Sequence, residues 1–227
     1  MFQYEYCKVQ IVETAQILVK KGFLMATGGN LSMRVPGEAM FVVTPSNYDY
    51  MKMTAGDICV LNFKMDVIEG ELPPSVESSF HAGIYQARED VNAIIHTHQV
   101  YTSALAAMKT PIPALFDEQV RYLGRSVEII PYAPSGTQFL RKKIVRSIKN
   151  HHNAYILQNH GALCFGNSMQ QAIYNVEILE KCSLAYLLTL CAEKKATKIP
   201  LPIREIAFSK LRKDQMNMER KGADQNG

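Results

Sequence analysis

No two cysteines in this chain of 227 residues stand in a C-x-x-C pair, and no apolar run approaches the roughly 20 residues needed to span a bilayer. Cys7, Cys59, Cys164, Cys182 and Cys191 are scattered and odd in number, which reads as reduced thiols rather than a disulfide framework. The opening MFQYEYCKVQ lacks the basic-then-apolar layout of a signal peptide, so a cytoplasmic location is expected and a membrane partner is not. A surplus of one charge sign is nearly absent too. The 25 Lys and Arg against 21 Asp and Glu leave +4, much of it towards the C-terminal end. No basic stripe interleaves with aromatics, which argues against nucleic acid, while an anionic small substrate suits the mild balance. No internal repeat and no biased linker divides the chain. Residues 1–227 are therefore expected to form one domain, with a polar tail from about 219 that is mobile at its end.

What the chain does have is an irregular alternation of helix and strand patterns. Residues 3–21 place Val9, Ile11, Ala15, Leu18 and Val19 at helical spacing, with Gly22 as the C-cap. Short strands are expected at 31–35, 40–44, 58–63 and 67–69, followed by a helix over 76–88 that Ser75 caps. Beyond a central strand ending at His96-Thr97-His98, a helix over 99–108 is broken by Pro111 and Pro113. A strand over 127–132, a helix over 135–149 and strands over 154–158 and 162–165 come next. A long helix over 168–194 and a shorter one after Pro202 close the chain. The early hairpins exclude a purely parallel sheet, so a mixed sheet with helices on its faces is expected.

The stretch NAIIHTHQVY, residues 92–101, carries the chemistry. Ile94 and Ile95 favour a strand, in which side chains at i and i+2 share a face. In a helix His96 and His98 would sit roughly 200° apart, so only the strand lets both imidazoles grip one ion. Alone, the pair fits two hydrogen-bonded histidines at a strand end equally well. His160, in ILQNHGALCFG, supplies a third imidazole, and Gly161 permits a tight turn that would face it into a cleft. Three histidines suit a catalytic zinc with open positions, and neutral imidazole also suits iron, cobalt or manganese. Glu77, expected in a first helical turn, is favoured there by the helix dipole alone. His81, four residues on, is a ligand, a partner that orients one, or a satisfied helix residue, the second being preferred. The polar turns 27–30 and 44–47 and the segment at Ser75 offer N–H groups and hydroxyls of the kind that hold phosphate, although each is also an ordinary turn sequence.

Six stretches stand in order: ATGGNLS at 26–32, VTPSN at 43–47, PPSVE at 73–77, HTH at 96–98, PYAPSGT at 131–137 and QNHG at 158–161. Together they resemble the class II aldolase/adducin family, most closely its sugar-phosphate aldolases of the fuculose-1-phosphate type, over roughly residues 11–190. The resemblance implies an α/β fold, a three-layer α/β/α sandwich around a mixed, largely antiparallel sheet. It also implies a four-fold homotetramer with each site between neighbouring subunits. It makes His96, His98 and His160 ligands of a divalent metal, usually zinc, and Glu77 a fourth ligand that leaves when substrate binds and shuttles the proton. The substrate phosphate would be held around Thr27, Gly29, Asn30, Ser46, Asn47, Ser75 and Val76.

Three positions depart from the family pattern. Asn47 stands where the phosphate turn usually ends in Gly, and Asn tolerates the left-handed conformation better than most residues. Val76 replaces a second serine and leaves only its backbone N–H. Asp117, with Glu118 and Tyr122 nearby, aligns with the tyrosine that exchanges a proton with the aldehyde oxygen, and partial burial is expected to raise its pKa for that task. The implied activity is metal-dependent, reversible cleavage of a ketose 1-phosphate to dihydroxyacetone phosphate and an aldehyde. The alternatives are a pentulose-phosphate 4-epimerase, another sugar-phosphate lyase of the family, or an adducin-like interaction module, which would have no need of an open metal site.

Overall fold

Side chains alternate along every strand of this chain, and that alternation sorts them into layers. The computed structural model describes residues 4–225, with the backbone path alone given for 219–225. Eight strands, β1 (Asn30–Arg34), β2 (Met40–Val43), β3 (Cys59–Asn62), β4 (Val67–Glu69), β5 (Ala93–Thr97), β6 (Glu128–Ile130), β7 (Ala154–Leu157) and β8 (Gly161–Gly166), form one sheet among the described residues. Their order is β4-β3-β2-β1-β5-β8-β7-β6. Only β6 and β7 pair in parallel, and the other neighbours are antiparallel.

Along β5, Ala93 and Ile95 enter one core and Ile94 the other; along β8, Ala162 and Cys164 oppose Leu163 and Phe165. The first face is covered by α1 (Glu5–Lys20), α3 (Val100–Ala107) and α6 (Met169–Cys191), through residues such as Ile11, Leu18, Leu105, Val176 and Leu179. The second is covered by α2 (Ser78–Ala87) and α5 (Gln138–Ser147), through Phe80, Ile84, Tyr85, Leu140 and Ile144. The result is a three-layer sandwich. Beside it, α4 (Asp117–Tyr122) packs on α7 (Leu201–Gln225) in a small cluster of Ala114, Val120, Phe208 and Leu211.

The expected strands all form, shifted by a residue or two at their ends. Three helices differ. The segment 76–77 is a turn, and α2 starts only at Ser78, so Glu77 is its N-cap and Ser75 stands two residues too early to cap it. α4 escaped the pattern because six residues, Asp117–Tyr122, are too few for a helical period to show. The helix expected to be short after Pro202 instead runs 25 residues from Leu201, with Pro202 in its first turn, where a missing N–H costs nothing. Its backbone continues to Gln225; the mobility expected of the tail lies outside the described residues.

Candidate metal centre and active site

β5 lies inside the sheet, with Asn30 of β1 opposite His96 on one side and Leu163 of β8 opposite it on the other. His96 is fully buried, and its Nδ1–H donates to the Ala162 carbonyl at 2.8 Å. A carbonyl can only accept, so the proton sits on Nδ1 and Nε2 presents a bare lone pair. His98 Nε2 lies 3.0 Å from that atom and His160 Nε2 3.2 Å from it. Glu77 closes the group, with Oε2 3.2 Å from His96 Nε2 and Oε1 3.3 Å from His160 Nε2.

Two glycines make this convergence possible by close approach. A Cβ on Gly29, whose φ is +85°, would fall 2.5 Å from the His96 carbonyl oxygen. A Cβ on Gly161 would fall 2.4 Å from the Thr97 carbonyl oxygen and 2.5 Å from His98 Cδ2. The tight turn at 158–161 owes its left-handed residue to Asn159, at φ 55°; Gly161 supplies room. Behind Gly29, the Tyr50 hydroxyl donates to its carbonyl at 2.6 Å, a support that no sequence motif announced.

The ligand nitrogens of His96, His98 and His160 all lie within 4.8 Å of one another, with His98 and His160 3.0 and 3.2 Å from His96, and fit a divalent ion. Tetrahedral zinc with bonds of 2.0–2.1 Å separates its ligands by about 3.3 Å. Electrostatics agree with the geometry. Burial, then the imidazole of His96, pushes His98 and His160 down to about 4 against the pull of Glu77, so both offer lone pairs at neutral pH. Burial alone would raise the Glu77 carboxyl; His96 and His160, helped by hydrogen bonds from Ser135 and Asn30, outweigh it and hold the group at about 2.

Glu77 is held from both sides. Ser135 Oγ, on an exposed loop, donates to Oε1 at 2.6 Å, and Asn30 Nδ2 donates to Oε2 at 2.8 Å. The Asn30 amide is buried and engaged at both ends, because His81 Nε2 lies 2.6 Å from its Oδ1. His81 Nδ1 in turn meets Ser32 Oγ at 2.6 Å, and Ser32 Oγ meets Tyr85 Oη at 2.7 Å. Burial, then the neighbouring His96, pushes His81 down to about 3, so it is neutral. Sequence reasoning favoured an orienting role for His81 but did not find its partners, Asn30 and Ser32, or Tyr85 behind Ser32.

The expected phosphate turns come together beside this group. Thr27 Oγ1 donates to Asn47 Oδ1 at 2.9 Å, and Ser46 and Ser75 exchange backbone bonds with the opposite turn, donating to Pro73 O at 2.9 Å and Thr44 O at 3.2 Å. Asn47 adopts φ 57°, the left-handed conformation that its place required. Val76 is exposed, and the Ser75 hydroxyl accepts from the Glu77 N–H at 3.3 Å.

Asp117 is not brought into the group. It opens α4 with an exposed side chain, so the partial burial expected for it is absent from the single chain. Glu118 is committed elsewhere, accepting from Tyr174 Oη at 2.5 Å and Lys181 Nζ at 2.8 Å, and Tyr122 packs edge-on against Tyr174.

A three-layer sandwich that brings three imidazoles and a buried carboxylate together at one strand end presents donors of the kind that suit a divalent metal. The family model for the class II aldolase and adducin N-terminal domain matches residues 9–187, and the chain belongs to that family. A 5-deoxy-D-ribulose 1-phosphate aldolase from Bacillus thuringiensis serovar kurstaki is 31% identical over 180 residues, covering 79% of this chain and 84% of its own. An L-fuculose phosphate aldolase from Escherichia coli K12 is 31% identical over 194 residues, 86% of either chain. The solved structure of an L-fuculose 1-phosphate aldolase superposes with a TM-score of 0.86 at 30% identity, over 91% of this chain and 96% of that one. These relatives place the chain with the class II aldolases. No helix among the described residues is long and apolar enough to cross a membrane.

Proposed function

We propose that this protein is a metal-dependent aldolase that reversibly cleaves a ketose 1-phosphate to dihydroxyacetone phosphate and an aldehyde. The observation that carries the reading is the meeting of the His96, His98 and His160 ligand atoms within 4.8 Å, with Glu77 oxygens 3.2 and 3.3 Å from His96 and His160, beside two polar turns tied to each other. His96, His98 and His160 would hold a divalent ion, zinc by preference and manganese, cobalt or iron by the same donor chemistry, which would supply Lewis acidity to the substrate. Glu77, ionised far below neutral pH, carries the proton to and from C3. The backbone and hydroxyls around Thr27, Gly29, Ser46, Asn47, Ser75 and Val76 cradle the phosphate, with Asn30 at the inner edge and its amide committed to Glu77.

Cleavage of the C3–C4 bond also requires a base for the C4 hydroxyl. We assign this to Asp117, whose neighbour Glu118 is already paired. Because Asp117 is exposed on its own subunit, its action calls for a homotetramer in which an adjacent subunit completes each site. The protein is assigned to the cytoplasm on its scattered free thiols.

The test is a panel of ketose 1-phosphates offered to zinc-, manganese- and cobalt-loaded protein, with release of dihydroxyacetone phosphate as the readout. Release from at least one sugar is expected. A panel without release, but with inversion at C4 of a pentulose phosphate, would transfer the protein to the 4-epimerases.

A further inference from the structure

The two oxygens of Glu77 stand in different environments. Oε2 takes its hydrogen bond from the interior, through the Asn30 amide, while Oε1 takes its own from Ser135 on an exposed loop. The chain of contacts behind Oε2 has a single consistent polarity. A carboxylate only accepts, so the Asn30 atom facing it is Nδ2 and the atom facing His81 is Oδ1. An amide oxygen also only accepts, so His81 carries its proton on Nε2 and leaves Nδ1 bare. Ser32 therefore donates to Nδ1, and Tyr85 donates to Ser32. Every member of this row, Tyr85, Ser32, His81, Asn30 and Glu77, is buried. Water cannot substitute for a missing link, and a reversed amide would turn an oxygen lone pair onto the carboxylate.

We propose that His81 is a positioning residue for proton transfer, resting on the assignment of that transfer to Glu77: its Nε2–H fixes the Asn30 amide, which pins Oε2 and leaves Oε1 as the oxygen that exchanges the substrate proton. His81 makes no hydrogen bond to the three ligand histidines, and it meets the substrate turns only through the Asn30 amide. Oε1 also lies 3.3 Å from His160 Nε2, but its hydrogen bond comes from Ser135, on a surface loop that a substrate hydroxyl can replace. Bonds that orient such a carboxylate are worth about 10–100-fold in activity.

The experiment measures exchange of the C3 proton of dihydroxyacetone phosphate with deuterated solvent in metal-loaded protein, together with bound metal and the half-saturating concentration. His81→Leu is expected to lower the maximal exchange rate about tenfold or more while half-saturation and metal content stay near wild type. His81→Gln, which retains an N–H donor near the Nε2 position, is expected to recover much of the loss. Ser32→Ala, a small change that should fold even where His81→Leu does not, is expected to lose activity in the same direction by releasing the tautomer. The double variant Glu77→Gln/His81→Leu is expected to be no slower than Glu77→Gln alone, since His81 acts through Glu77. Wild-type exchange in Ser32→Ala and in folded His81→Leu would overturn the positioning role and leave Glu77 standing. Losses that multiply in the double variant would also overturn it. Wild-type exchange in Glu77→Gln would instead overturn the assignment of proton transfer to Glu77 and take this inference with it.

Discussion

A carboxylate buried beside three imidazoles is costly unless something charged or hydrogen-bonded faces each oxygen, and Glu77 meets that condition on both. Burial holds His98 and His160 neutral at neutral pH, and with His96 they converge on one point, an arrangement that suits a cation between them. His96→Ala and His160→Ala should therefore fold but carry far less than the one divalent ion per chain expected of wild type, as measured by elemental analysis. Full metal content in both would dismiss the site. The pairing of His96 with His98 was legible in the sequence, because it follows from the two-residue period of a strand. The partners of Glu77 were not, since Asn30 and Ser135 lie 47 and 58 residues away from it in the chain. At Asp117 the structure narrows the choice. Glu118 is tied to Lys181 and Tyr174, so Asp117→Asn should lose cleavage by about a hundredfold, the lower range for general acid–base catalysis, while Glu118→Gln loses little. A large loss in Tyr122→Phe with near-normal Asp117→Asn would give the role to the tyrosine.

Among the elements, the join between β7 and β8 is the most constrained. Its three residues, 158–160, must reverse the chain and bring His160 beside His96, and there is no room for a side chain at Gly161, which opens β8. Gly161→Ala should cost about 1–3 kcal/mol, the usual range for overpacking, and also lower metal affinity because His98 Cδ2 is one of the atoms displaced. Equal metal affinity in this variant and wild type would show that the turn relaxes without moving the imidazoles. Strand positions were readable because each carries its own two-residue alternation. α4 was not, because a six-residue helix has no repeat to read, and it is held by α7 across a cluster formed by Val120, Phe208 and Leu211.

For the whole molecule, buried histidines set the response to acid. Burial, together with the cations of Arg125 and Arg88, pushes His152 from 6.5 down to about 4, and His81 falls from 6.5 to about 3. A histidine with a lowered folded pKa binds more protons when unfolded, so stability drops as pH falls from 6.5 towards these values. Glu77, lowered from 4.5 to about 2, removes a further share over that lower interval. Urea midpoints of metal-free protein should thus decline from pH 7 to pH 5, and less steeply in His152→Phe, which cannot take up the proton. A parallel decline in wild type and variant would show that His152 does not contribute.

By itself the sequence determined the mixed sheet with helices on its faces, the strand at the centre and the pairing of His96 with His98, because each is written in a short-range pattern: alternation in the strands, helical spacing in α1 and α6, and two histidines two residues apart. The resemblance to a family whose turn usually ends in Gly there pointed to a left-handed residue 47, and Asn47 adopts that conformation. Only the tertiary structure decided where hydrogen-bond partners come from. The row from Tyr85 to Glu77 draws on β1 and α2, which meet only because the sheet buries one face of each, and no local spacing encodes that meeting. The exposure of Asp117 was likewise undecidable from neighbours in sequence. It depends on how α4 is clamped between α6 and α7, a packing fixed by surfaces that lie about 60 to 90 residues further along the chain.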